Sequence, residues 1–272
     1  MSVAKEQREK LIWEFPNIGK KAPEQEEKAF AYCEGYKEFL NAAKTEREFV
    51  REAVLRLKEA GYEEFEEGKI YQPGDKVYQI NRKKALLMST FGKRPLEDGV
   101  RINVAHIDSP RLDLKPNPLY EKAEAAYFKT HYYGGIRKYQ WATIPLAMHG
   151  VVILKDGTSM DICIGEKEGD PVFCVTDLLP HLAAQQNERK LKDGIKGEEL
   201  NIIVGSLPYP CEEEDSIKEP VKLLALSLLN ERFGMTEKDF LRAEIEFVPA
   251  VKATDVGLDR SLVGAYGQDD KV

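Results

Sequence analysis

"GVRINVAHIDSPRLD", residues 99–113, decides how the rest of the chain is read. Val100, Ile102 and Val104 alternate and the residues after them are mostly apolar, which predicts a strand with at least one face buried over 99–107. Pro110 then predicts the strand's end, so His106 and Asp108 fall at its carboxyl end, where open α/β sheets place ligands. Side chains at i and i+2 of a strand share a face, so the Asp108 carboxylate can reach the His106 imidazole. A metal-binding histidine needs that partner: a carboxylate on one ring nitrogen fixes the tautomer and leaves the other lone pair for the ion. The same pair also suits a simple hydrogen bond closing a strand end, and His-x-Asp by itself does not separate the two.

Upstream, residues 24–61 predict two helices. Thr45 and Glu48 form a capping-box pattern at the start of the second, and Gly61 closes it. Phe49, Val50, Ala53, Val54 and Leu57 share one face of that helix, which must pack on something. "KVYQINR" and "KALLMSTF" predict two short strands joined by a polar turn.

From residue 112 aromatic and β-branched residues dominate, and "KDG" between "HGVVIL" and "TSMDICI" predicts a hairpin. A helix is expected near 176–190, a solvated acidic loop in "SLPYPCEEEDSIKEP", an apolar helix in "PVKLLALSLLNERFG" stopped by Gly234, and a strand in "RAEIEFVPAVKA" at 242–253. The partition that follows is an α/β domain with a mixed sheet over 1–111, a β-rich insert over 112–240, and the first domain resumed over 241–272. The chain ends "GAYGQDDKV", with Asp269 and Asp270 adjacent after a flexible segment. A carboxylate placed there can bridge two divalent ions, and an isolated pair of aspartates is equally at home in a charged turn.

Composition narrows the function classes. Forty Lys and Arg against 47 Asp and Glu give a net charge of −7, which opposes nucleic acid and anionic membranes and leaves peptides or small molecules as partners. The four cysteines, Cys33, Cys163, Cys174 and Cys211, form no CxxC pair and are expected as buried reduced thiols. Charges interrupt the apolar residues of "MSVAKEQREKLIWEFPN", unlike a signal peptide, and no window approaches the roughly 18 apolar residues of a membrane span. The expected location is cytoplasmic.

Taken together and in order, "AHIDSPRLDLKPNPLYE", "YYGGIRKYQWATIPLAMHGVVILKDG" and "GAYGQDDKV" resemble the M18 family of zinc aminopeptidases, the group of aspartyl aminopeptidase and aminopeptidase I. The resemblance implies metal-assisted hydrolysis of N-terminal residues from peptides by water activated between two divalent ions, zinc or in its place cobalt or manganese. It makes His106 a metal ligand, Asp108 the carboxylate that orients it, and Asp269 the aspartate bridging the ions, with Asp270 in the following position. It matches His149 to an insert histidine that reaches a neighbouring subunit's active site, and it implies dimers assembled into a larger homo-oligomer. Arg137 and Lys138 could pair with an acidic N-terminal residue or stay solvated. In the family the general-base glutamate and further ligands follow the aspartate pair, so the expectation is that these 272 residues alone neither hold both ions nor catalyse hydrolysis. A non-catalytic assembly or binding module of the same descent is the alternative, and a related deacylase or glutamyl aminopeptidase a third.

Overall fold

The structure is a computed structural model that describes residues 3–13, 22–210 and 217–271. A charged helix, α1 (Val3–Leu11), precedes α2 (Glu26–Ala42) and α3 (Glu46–Glu59). Thr45 and Glu48 close the expected capping box on α3, and Gly61 follows the helix at φ 80°. A short strand β1 (Glu63–Glu64) pairs parallel with β2 (Lys76–Asn81), which pairs antiparallel with β3 (Ala85–Thr90). This three-stranded sheet is mixed, with the polar turn at 82–84 where the sequence puts it.

The larger sheet has seven strands: β4 (Arg111–Lys122), β5 (Ala125–Tyr133), β6 (Leu146–Ile153), β7 (Ser159–Ile164), β8 (Cys174–Val175), β9 (Ile202–Gly205) and β10 (Ala243–Pro249). Their spatial order is β7-β6-β10-β4-β5-β9-β8, with each neighbouring pair antiparallel. Between β8 and β9 lies one helical turn, α4 (Ala184–Asn187), and α5 (Pro220–Phe233) packs across the sheet. Helix α5 ends as expected at Gly234, φ 70°, whose N–H bonds to the Asn230 carbonyl. Its first turn has no local cap; instead Oε2 of Glu121 on β4 accepts from Val221 N and Lys222 N at 2.9 and 3.0 Å, placing a carboxylate at the positive end of the helix dipole.

Period-two alternation gives the sheet two unlike faces. Leu112, Phe128, Leu146, Met148, Ile162, Ile245 and Phe247 point to the α5 side and join Val221, Ala225, Leu229 and Phe233 in one apolar core. Arg111, Asp113, His149, Glu244 and Glu246 are out of phase with them and face the start of α3, beside buried Ala43, Ala147 and Val248.

Four expectations are corrected. Residues 99–107 form no strand: Val100, Ile102 and Val104 are exposed, and no neighbour pairs with their backbone among the described residues. An alternating segment becomes a strand only when a ladder satisfies its amides. The 176–190 helix reduces to α4, because Pro180 interrupts the run with its missing N–H and its constraint on Leu179. Strand β10, assigned to the resumed domain by the 240/241 boundary, instead lies third in the seven-stranded sheet, between β6 and β4. Cys33, Cys163 and Cys174 are free but half-buried rather than buried; Cys211 and the acidic run after it lie outside the described residues. Two further strands, β11 (Thr254–Val256) and β12 (Leu262–Gly264), form a hairpin ahead of the final aspartates.

Candidate metal centre

His106 sits in the irregular segment leading into β4, not at a strand's carboxyl end, with Asp108 beside its ring. His106 Nδ1 is 2.9 Å from the Asp108 backbone oxygen and 3.4 Å from Asp108 Oδ1. Asp108 Oδ2 accepts a hydrogen bond from the Tyr133 hydroxyl. That bond, opposed by partial burial, holds the Asp108 carboxyl below the usual carboxylate range. With Nδ1 occupied, Nε2 is the nitrogen left for a ligand.

Nε2 faces the end of the chain, and the residue it meets is Asp270, with Oδ1 at 3.4 Å. Asp269, the aspartate first expected in that place, is exposed, whereas Asp270 is buried. Residues 265–271 run through turns rather than a strand, so adjacent side chains diverge with no period to predict which points inward. Asp270 Oδ2 is fully buried and accepts no hydrogen bond. An ionised carboxylate oxygen in that state is costly unless a cation meets it. Two tetrahedral ligands held about 2.1 Å from a zinc ion stand about 3.4 Å apart. The His106–Asp270 spacing and the orphaned oxygen therefore fit a metal ion.

Three side chains grip the loop that carries Asp108. Besides Tyr133 on Asp108, Lys271 Nζ donates to Ser109 Oγ at 2.7 Å and to the Lys44 carbonyl at 3.3 Å, and Tyr266 donates to the Pro110 carbonyl at 2.7 Å. Burial lowers the Lys271 pKa and lifts that of the Tyr266 phenol well above its usual range.

His149 lies elsewhere. Buried on β6, it has Nδ1 at 2.7 Å from Glu48 Oε1 of α3 and Nε2 at 2.9 Å from Glu166 Oε1 after β7. Burial opposes the charge, but the bonds to Glu166 and Glu48 outweigh it and lift the imidazole to about 9. Both ring nitrogens are thus occupied within the chain; the exposed histidines of the β-rich part are His131 and His181.

A charged layer missed by sequence reasoning surrounds His149. Glu46, Glu244 and Glu246 lie close enough to share one ion, the one such group among the described residues, and neither His106 nor Asp270 belongs to it. Cations already occupy it: Lys84 pairs with Glu46 and Glu244, Arg47 with Glu244, and Arg111 with Glu46 and Asp113. Arg111 Nε lies 3.2 Å from Glu246 Oε2 but bonds to Asp113 at 2.7 Å, leaving the Glu246 oxygen without a hydrogen bond. One guanidinium divided among three carboxylates does not offset burial and the nearby Glu46 charge, and Glu246 is pushed up to about 8. The available signal was phase: in "AEIEFVP" two glutamates alternate with residues of a core strand, and a strand buried on both faces must find them partners.

A family model described as Aminopeptidase I zinc metalloprotease (M18) matches residues 39–272. The chain belongs to the M18 family. An M18 relative, the probable M18 family aminopeptidase 1 of Clostridium acetobutylicum, is 49% identical over 267 residues, covering 96% of this chain and 57% of the relative. The crystal structure of the M18 aminopeptidase from Thermotoga maritima superposes with a TM-score of 0.88 at 46% identity, over 96% of this chain and 56% of that one. The S. cerevisiae mApe1, solved as a dodecamer, shares the fold at 18% identity and a TM-score of 0.59, over 85% of this chain and 50% of that one. The chain thus spans a little over half the length of the M18 relatives it matches. Its mixed α/β architecture is that of M18 aminopeptidases, and a metal ion is the cofactor of such a family.

Proposed function

We propose that this chain carries part of the two-metal centre of an aminopeptidase that removes N-terminal residues from peptides. The observation that supports it is the convergence of His106 Nε2 and the buried, unpartnered Asp270 carboxylate. In this reading His106 is a ligand to one ion, Asp108 orients it, and Asp270, in place of Asp269, is the bridge. Zinc is the metal first expected, with cobalt or manganese as substitutes. Divalent ions bound there would supply an activated water and polarise the scissile carbonyl. The chain's own part is to fix the His106 tautomer through Asp108 and to turn the Asp270 carboxylate inward.

A general base and the remaining ligands are not gathered around His106 and Asp270 among the described residues, so the chain by itself is proposed to be inactive. A preference for acidic N-terminal residues would fall to Arg137, which is exposed and donates to Tyr139, rather than to Lys138, whose ammonium lies over the Tyr132 ring. The β-rich part, residues 112–249 when β10 is included, is proposed as the unit through which dimers form and join into a larger homo-oligomer; Leu178, Leu179, Leu182 and Leu207 leave apolar surface on it. An insert histidine serving a neighbouring site would be His131 or His181, which are exposed, rather than His149, whose ring nitrogens are held by Glu48 and Glu166. No described helix is long and apolar enough to cross a membrane, and a cytoplasmic location is proposed.

The test is hydrolysis of a panel of aminoacyl p-nitroanilides by the protein as the cell makes it, with zinc, manganese or cobalt added after chelation. Metal-dependent release that disappears in Asp270→Ala supports the reading. Release that survives chelation, or that Asp270→Ala leaves unchanged, refutes it.

A further inference from the structure

Tyr133 belongs to β5 of the seven-stranded sheet and to the segment "YYGG", outside the loop that carries His106 and Asp108. Its hydroxyl nevertheless donates to Asp108 Oδ2, the carboxylate whose other oxygen faces His106 Nδ1. The ring itself is pinned. Arg111, opposite Tyr133 in the β4–β5 register, places its guanidinium 4.2 Å from the ring centroid, and the same guanidinium is fixed by Asp113 and Glu46. Gly134 follows at φ 77°, where a Cβ would stand 3.3 Å from the Pro110 Cα, so the end of β5 lies directly against the Asp108–Pro110 loop. Arg111, Pro110 and Asp108 thus meet the end of β5 at three separate points.

From this geometry we infer that Tyr133 is a positioning residue for the metal centre, acting through Asp108 on His106, so that the β-rich sheet sets the orientation of a metal ligand outside it. The inference rests on the reading of His106 and Asp270 as metal ligands. The chemistry is that of an outer hydrogen bond: the Tyr133 hydroxyl fixes the Asp108 carboxylate, Asp108 meets His106 Nδ1 through its backbone oxygen at 2.9 Å with Oδ1 at 3.4 Å, and the imidazole so held presents Nε2 in one direction. Partners of this kind change metal affinity by about 10- to 100-fold when removed. Phe at 133 keeps the ring over Arg111 and removes only the hydroxyl, so packing and sheet register are retained.

The experiment is a cobalt(II) titration of the protein as the cell makes it, stripped of metal and followed by the visible absorption of the bound ion. Native protein, His106→Ala, Tyr133→Phe, Asp108→Asn and the Tyr133→Phe/Asp108→Asn double variant are compared, with thermal unfolding as the check on folding. The expected result is that His106→Ala abolishes the signal, Tyr133→Phe weakens binding about tenfold, and Tyr133→Phe adds nothing further once Asp108 is Asn. Native affinity in Tyr133→Phe, with the signal still lost in His106→Ala, overturns the role of Tyr133 and leaves the metal centre standing. An additive effect in the double variant also overturns it, because the hydroxyl would then act by a route other than Asp108. No cobalt signal in the native protein, or one that His106→Ala retains, overturns the metal centre and the role of Tyr133 together.

Discussion

His149 Nδ1 lies 2.7 Å from Glu48 Oε1, joining the middle of the seven-stranded sheet to the residue that caps α3. The other oxygen of Glu48 accepts from Lys44 N at 3.2 Å and Thr45 N at 3.0 Å, so one carboxylate closes a helix start and neutralises a buried imidazolium. The sheet and the helical layer are therefore tied by a group whose charge depends on pH.

The sign of that dependence follows from the shift. His149 titrates near 9 in the folded chain against 6.5 in the unfolded one, so its contribution is full below about pH 6.5 and is lost as the pH rises through about 9. The magnitude is on the order of 3 kcal/mol, counted once for the His149 group rather than again for its carboxylates. Urea unfolding of the wild type is expected to show a falling midpoint from pH 6.5 to 9. His149→Gln is expected to be less stable at pH 6.5 and to have a flatter profile; an unchanged slope would remove His149 as its cause.

Glu246 acts in the same direction for a different reason. Its folded pKa, near 8, exceeds the ordinary 4.5, so the unfolded chain gives up the proton first and stability falls between pH 4.5 and 8. Glu246→Gln keeps the shape and cannot ionise. The variant is expected to gain on the wild type as the pH rises to 8, by about 1–3 kcal/mol given the cost of an unpaired buried charge. Paired denaturation curves at pH 5 and pH 8 read that gain, and equal differences at both would refute it.

Glu48→Ala is expected to cost about 3 kcal/mol or more, because it removes the cap and leaves His149 short of a partner in the interior. Glu52→Ala, half-buried on the same helix and paired with the exposed Arg56, is expected to cost less, about 1 kcal/mol or below. Thermal unfolding at pH 7 compares the two.

Asp270→Asn and Asp269→Asn separate the two terminal aspartates. Zinc affinity, measured by competition with a chromogenic chelator, is expected to fall at least tenfold in Asp270→Asn and to stay within about twofold in Asp269→Asn. The reverse order would restore Asp269 as the ligand.

At Gly150 an added Cβ would stand 2.0 Å from the Glu244 carbonyl oxygen and 2.8 Å from the Ile245 Cα. Backbone of the adjacent strand cannot move aside as a flexible side chain would, so Gly150→Ala is expected to cost about 3 kcal/mol or more. Far-UV circular dichroism through a thermal ramp measures it.

Local signals survived into the structure best. Thr45 with Glu48, the "KDG" turn and Gly234 act through residues within a few positions of one another, and the structure has each as the sequence implies. Pairing between distant strands was not readable: nothing in "AEIEFVP" says that it lies between β6 and β4. At the site, the closeness of His106 and Asp108 was legible because they lie two positions apart. The choice between Asp269 and Asp270 was not, because it depends on a turn's path toward a histidine far away in the chain. Glu46 and Glu244 carry no local signal of burial, since acidic residues are usually exposed; only packing reveals that they face another charged layer.

The two faces of the seven-stranded sheet weaken together in the cold. Cooling weakens the apolar contact with α5 and raises the cost of holding ions away from water on the α3 side. Neither layer makes up for the other as the temperature falls, so a chilled chain loosens on both sides of the same strands.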